Sequence, residues 1–300
     1  MVKVSSFRRS LSSTIAVVFL SSTIGISVAE AANRFWIGSK TASNQYENPI
    51  NWSTSMGGAG GQDAPTAADD AFFMNNLSGS SLLGKNAWIK SRAIMNGLVI
   101  NQNMTGTIIL GGTGSLNFGS KGIRMGSGRL IGGTGNISGS GSFTQSGGIV
   151  RMGPGNLYLS GSLAISKGAG SSYTEFVSTG TLVFNSRIAD QNFTVGATVN
   201  NTSFKNLTLN NTAGGTADDI IASGTPLKLS GALLITQGNL DLDTSNVALQ
   251  VESGVTLAAN AQATLTSDAN ITASGHIVAG AGAAFVLSSN TFTLNGKNQN

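Results

Sequence analysis

The chain has 300 residues, with no cysteine, one histidine, 41 glycines and 10% charged side chains, where soluble domains usually carry about 25%. Thiol nucleophiles, disulfide frameworks and cysteine-type zinc sites are excluded, and any triad or multi-histidine metal site would rest on His276 alone. The net charge is +4, and a 40% hydrophobic, 6% aromatic composition filled out by Gly, Ser, Thr and Asn favours turns over a lipid-embedded chain.

Residues 1–31 have the layout of a secretory signal peptide. Lys3, Arg8 and Arg9 form a basic start, Leu11 to Val28 an apolar stretch, and Ala29-Glu30-Ala31 a small-x-small cleavage site. Ser and Thr interrupt the apolar stretch, which argues against a membrane anchor. Removing the segment takes away three bases and one acid, so 17 and 13 become 14 and 12 and the net charge falls from +4 to +2. The remaining charges are scattered, without the basic stripe that nucleic acid or an acidic lipid surface requires. No later run is long and apolar enough to cross a bilayer as a helix. An exported chain without cysteine must hold itself together by packing and backbone hydrogen bonds.

Residues 32–96 read as an N-terminal cap with the first coils. All three tryptophans (Trp36, Trp52, Trp88) lie there with Phe35, Tyr46, Phe72 and Phe73, and large aromatics can plug an open end of stacked strands. Residues 97–300 read as repeats. Candidate strands are Leu98-Val99-Ile100, Thr107 to Leu110, Ser115 to Phe118, Gly128 to Ile131, Asn156 to Leu159 and Thr181 to Phe184. Phe204 to Leu209, Pro226 to Leu229, Asn239 to Leu242, Val255-Thr256-Leu257 and Phe292-Thr293-Leu294 follow. No stretch after residue 97 shows a 3.6-residue apolar period with helix caps.

Short, evenly spaced strands suit a sandwich, a barrel or a solenoid. The repeated phrase favours the solenoid: Gly111-Gly112-Thr113-Gly114-Ser115-Leu116 returns as Gly132-Gly133-Thr134-Gly135-Asn136-Ile137, and Ser160-Gly161-Ser162-Leu163 as Ser230-Gly231-Ala232-Leu233. Coils of roughly 20 to 25 residues would make about nine turns, a rod about 45 Å long.

Trp36-Ile37-Gly38, Asn51-Trp52, Pro65 and Asp69-Asp70-Ala71-Phe72-Phe73 resemble the opening of bacterial autotransporter-type surface proteins with β-strand repeats. Phe204 to Asn210 and Gly238 to Leu242 resemble the repeat itself, and Asn48-Pro49-Ile50 is similar to a tripeptide of two-partner haemagglutinin secretion domains. The resemblance implies an all-β fold, a right-handed parallel β-helix, used as a passenger or adhesin on the outer membrane or cell surface of a Gram-negative bacterium. Such proteins normally end in a β-barrel translocator. Here the chain stops at Gly296 to Asn300 after Phe292-Thr293-Leu294, so it is expected to be truncated before a translocator or exported by another route.

Paired carboxylates are the enzymatic option that composition leaves open. Asp69/Asp70 and Asp218/Asp219 are neighbours that point to opposite sides of a strand, whereas Asp241 and Asp243 share a side, opposite Leu240 and Leu242. Solvated outer positions explain the latter pair equally well. The glycine clusters Gly111 to Gly114 and Gly132 to Gly135 precede strands, so they lack the helix N-terminus of a phosphate loop. They also lack the Asp of a calcium nonapeptide, with Asn117 or Ile137 near its place. His276 lies beside a strand without a motif partner, and no G-x-S-x-G exists. Asn-x-Ser/Thr at Asn76, Asn136, Asn192, Asn206 and Asn270 reads as glycosylation or as stacked turn asparagines.

The sequence therefore leads to no catalytic, cofactor-binding or metal-binding residue. Its expected role is a non-catalytic, exported β-helical adhesin with a surface ligand: a host protein, a glycan or a neighbouring cell. Nucleic acid is not expected, and a membrane only through a missing translocator or other anchor. The alternative is a polysaccharide-processing β-helix enzyme, a lyase or glycoside hydrolase, which would gather three carboxylates within about 6 Å. A third reading is a self-associating surface layer.

Overall fold

The computed structural model describes residues 31–38, 44–74, 85–101, 103–212, 219–288 and 291–295. The leader up to Glu30, and Asn76, Asp218 and residues 296–300, lie outside them.

Period-2 patterning makes the strands. In Leu227–Leu229 and Leu249–Val251 the outer two residues are buried and Lys228 or Gln250 between them is exposed. Three residues cannot form a stable sheet alone. Each strand gains its partners from the coils before and after it, through parallel ladders. Leu227–Leu229 pairs with Leu249–Val251, which pairs with Ile271–Ala273, which pairs with Phe292–Leu294.

Three such ladders form the faces of a parallel β-solenoid. The first face starts with Asn33–Trp36 and Asp70–Phe73 and runs through residues 97–100 and 122–125 to Phe143–Gln145, Leu163–Ile165 and Gln191–Val195. The second starts at Ala87–Ile89 and Thr107–Leu110 and passes through Arg129–Ile131 and Gly148–Met152 into residues 174–178. The third stacks nine strand segments among the described residues, from 92–95 to 277–279, so the chain makes about nine turns. Coil length varies: Ile123 pairs with Phe143, twenty residues on, whereas Leu163 pairs with Phe193, thirty residues on. The expected solenoid is the observed fold. The only helical turn among the described residues is the 3-10 turn Pro49–Asn51, where the Asn48 side chain accepts a hydrogen bond from Ile50 N at 3.2 Å.

Inward side chains fill the solenoid with Leu, Ile, Val and a run of phenylalanines. Phe143 meets Phe176, Phe176 meets Phe204, Phe204 meets Phe193 and Phe193 meets Phe184, at ring-centroid separations of 5.1–5.8 Å. Each fully buried ring or leucine contributes about 1.5–3 kcal/mol. At the start, Trp36, Tyr46, Trp52 and Phe73 pack into one aromatic cluster, and Trp36 and Phe35 form the only antiparallel pairing among the described residues, to Trp52 and Ser53. Trp88 departs from expectation. Its position in Ala87–Ile89 points outward and the ring is 43% exposed, so the cap has two tryptophans and not three.

The recurring glycines line the corner between the second and third faces. Gly114, Gly135, Gly155 and Gly180 stand one above another, and a Cβ on each would overlap the carbonyl oxygen beneath: of Ile89, Gly114, Gly135 and Gly155 respectively. Asparagines clip the coils at other corners and strand entries. Oδ1 of Asn136 accepts from Asn156 N at 2.9 Å, that of Asn206 from Ala232 N at 3.0 Å and that of Asn270 from Thr291 N at 3.3 Å. The asparagines thus bond to the next coil's backbone, and Asn136 and Asn156 precede the paired residues Ile137 and Leu157 of successive coils.

Gly135→Ala should therefore destabilise the protein by about 1–3 kcal/mol, because backbone has to shift to admit the methyl. Gly111→Ala, at the same corner but with no atom closer than 3.7 Å to the new Cβ, should stay within about 0.5 kcal/mol. Urea unfolding followed by circular dichroism compares them, and equal midpoints would refute the close-contact account.

Candidate functional site

The corner between the first and second faces is irregular, and its irregularity makes a groove. Two turns are short, at residues 126–128 and 146–147; the loops on either side, which include 103–106 and 166–173, are long. The short turns form the floor and the long loops the walls of a groove of about 730 Å³. Three coil steps separate the walls, about 14 Å at strand spacing.

The walls are braced. Ser127 Oγ donates to the carbonyls of Asn101 and Met104, at 2.6 and 2.8 Å, tying these residues to the floor. On the other side Gly168 N donates to Ser146 O at 2.7 Å and Gly148 N to Tyr173 O at 2.9 Å. The lining is rich in amide and hydroxyl groups (Asn103, Thr105, Ser146, Ser172), with the Tyr173 ring 40% exposed and a single charged side chain, Arg129. A second hollow of about 330 Å³ lies further along the same corner, over the two-residue turn Thr225-Pro226.

Beside the groove, Glu175 is held by three residues. Arg151 Nε bonds its Oε1 at 2.5 Å and the Tyr173 hydroxyl donates to its Oε2 at 2.8 Å. The Arg151 guanidinium holds the Glu175 carboxyl below the usual carboxylate range; burial opposes this, and hydrogen bonds from Tyr173 and Asn201 add to it. Because the arginine side chain is 60% exposed, solvent keeps the pair's contribution small. Its structural effect is to fix the Tyr173 ring at the groove rim, with the hydroxyl engaged and the ring free. On the second face the outward positions of successive coils are Trp88, Ile109, Ile131 and Arg151, three apolar residues followed by a charged one.

These residues were not legible as a group. Arg129 and Arg151 are twenty-two residues apart, and Arg151 and Glu175 twenty-four. Only the coil length read as a period could have aligned them.

Of the carboxylates singled out in the sequence, Asp69 and Asp241 serve the backbone. Asp69 is buried, accepting from Ala32 N at 2.9 Å and from Thr66 N and Oγ1 at 2.9 and 2.8 Å. Asp70, its neighbour, is paired with Lys121 at 2.6 Å. Asp219 begins the strand Asp219–Gly224. Asp241 is not a solvated outer residue: it is buried and caps a turn, accepting from Asp243 N and Thr244 N at 3.0 Å each and from Thr244 Oγ1 at 2.5 Å. A strand period assigned it to the surface because the strand ends there, and Leu242 is buried one residue later. Burial pushes the Asp241 carboxyl up, but hydrogen bonds from Asp243 and Thr244 outweigh it and hold it low, while Asp243 is raised by its hydrogen bond with Asp241. His276 is exposed and its carbonyl accepts from Val255 N at 2.9 Å. Among the described residues no three His, Cys, Asp or Glu side chains gather as a metal site.

No family model, no curated protein and no solved structure matches the chain. The groove thus rests on its own geometry.

Since the folded-state pKa of Glu175 lies below its unfolded value of about 4.3, its contribution to stability is complete above that pH and is lost as pH falls through the folded value. Glu175→Gln should flatten this acid limb and speed proteolytic nicking of the 166–173 loop at neutral pH. An unchanged acid limb and an unchanged nicking rate would show that the cluster does not hold the rim.

Proposed function

We propose that this protein is an exported, surface-exposed β-helical binding protein of the autotransporter passenger type, non-catalytic, from a Gram-negative cell envelope. The observation that carries the reading is the contrast between one edge and the rest of the solenoid. The groove over residues 126–128 and 146–147, with the outward Trp88, Ile109 and Ile131 of the second face, breaks an otherwise regular stack. The leader layout of residues 1–31 supports export, and the opening motifs from Trp36 to Phe73 support the passenger class.

The ligand that suits this edge is a glycan chain. Hydroxyl and amide groups match the hydrogen-bonding capacity of sugar hydroxyls, an exposed ring face packs on the apolar side of a pyranose, and one guanidinium accommodates an occasional acidic substituent. Nucleic acid would need many more cations along the path.

Two measurements test this. Protease added to intact producing cells should degrade the protein, and its protection until the cells are lysed would rule out surface exposure. On a glycan array, the chain from Ala32 to Asn300 should bind, and Tyr173→Ala and Arg129→Ala should each weaken binding about tenfold, as loss of a central anchor does, with unchanged circular dichroism. Depolymerisation of a bound polysaccharide by the purified chain would establish the lyase or hydrolase reading in its place.

A further inference from the structure

The small-x-small site Ala29-Glu30-Ala31 places leader cleavage between Ala31 and Ala32. In the folded chain the backbone nitrogen of Ala32 lies 2.9 Å from Asp69 Oδ1, thirty-seven residues away. Asp69 is 4% exposed. Its other oxygen is occupied by Thr66, and its own backbone ties the cap to the next coil, Asn96 N donating to Asp69 O at 2.7 Å. Burial raises the carboxyl, but the hydrogen bonds from Thr66 and Ala32, with the charge of Arg34, hold it below the usual carboxylate range. A buried anion held mainly by neutral donors is costly unless a cation reaches it.

We infer that leader removal supplies this cation, so that processing and closure of the cap are one event. Hydrolysis by a leader peptidase adds water across the Ala31–Ala32 amide. The carboxylate leaves with Ala31, and the nitrogen of Ala32 becomes an amine that takes a proton to form an ammonium. The nitrogen already in hydrogen-bond contact with Asp69 thereby becomes the cationic partner of a buried ion pair, and a charge-assisted bond is roughly twice as strong as the neutral one it replaces. Ala32 is also fixed through its carbonyl, which accepts from Asp70 N at 3.0 Å. The pair pins the start of Asn33–Trp36, the strand that carries Trp36 into the aromatic plug. This inference rests on the export reading of the leader.

Its pH dependence follows from the groups around Asp69. The charge of Arg34 favours the Asp69 carboxylate, Asp70 is paired with Lys121, and the Tyr46 hydroxyl is pushed far up by burial and by the charges of Glu47 and Asp69. The terminal amine, about 7.7–8.0 in an unfolded chain, is raised by the pairing. Its stabilisation is complete below that value and is lost as pH rises through the folded one. The Asp69 side of the pair is lost only in acid, as pH falls through its lowered value.

The test compares the chain beginning at Ala32 with the same chain acetylated on its terminal amine, a change that leaves every side chain in place. At pH 7 the free-amine form should melt roughly 2–4 °C higher, and the Asn33–Trp36 amides should exchange about tenfold more slowly. Both differences should vanish above about pH 10 and in Asp69→Asn. Equal melting and equal exchange at pH 7 would overturn the ion pair and leave the export reading standing. Mass spectrometry of the chain recovered from producing cells should find Ala32 first; an intact leader would overturn export and this inference together, and cleavage at another bond would overturn this inference alone.

Discussion

Every coil of this protein must lie at strand-hydrogen-bonding distance, about 4.8 Å, from the coil below it. That single spacing governs the rest. Strands of three residues persist because each is bonded on both edges, and corners follow the strands into register. At a corner where the chain turns over the carbonyl of the coil beneath, no space remains for a side chain, and the result is the column Gly114, Gly135, Gly155 and Gly180. Where there is room, an asparagine amide reaches across and takes the next coil's free N–H.

Electrostatics contribute little to this arrangement. Two ion pairs, Lys121 with Asp70 and Arg151 with Glu175, each have a well-exposed cation. Cohesion comes from the inward leucines, isoleucines and phenylalanines and from the ladders, and the low charge content of the sequence is the chemical trace of that division. Buried glutamines complete the corners: Gln191 Nε2 donates to the carbonyls of Leu159 and Gly161 at 2.9 and 2.6 Å, satisfying backbone groups that the turning chain leaves open.

The fold was legible because the repeat is carried by strongly patterned residues. Thr107–Leu110, Leu157–Leu159 and Leu227–Leu229 announce themselves by branched or alternating apolar side chains. A strand such as Ile137–Gly139 does not, since serine and glycine carry no strand preference and the neighbouring coils impose the conformation. The candidate site was hidden for a related reason. Its members belong to different coils, and contact between Arg151, Tyr173 and Glu175 depends on the number of residues in each turn. Asp241 shows the opposite error, where a strand pattern was continued one residue past the strand's end.

The three corners of the solenoid differ in what they tolerate. Between the second and third faces the glycine column leaves no slack, whereas between the first and second the connection runs from two residues, at 146–147, to eight, at 166–173, over an undisturbed core. Lengthening a loop costs little in closure entropy, rising only with the logarithm of its length. This corner is therefore where sequence can be inserted, exchanged or lost without disturbing the ladders. The groove is a product of unequal loops, so its width and depth can be reset by a few residues of insertion while the rod that carries it stays the same.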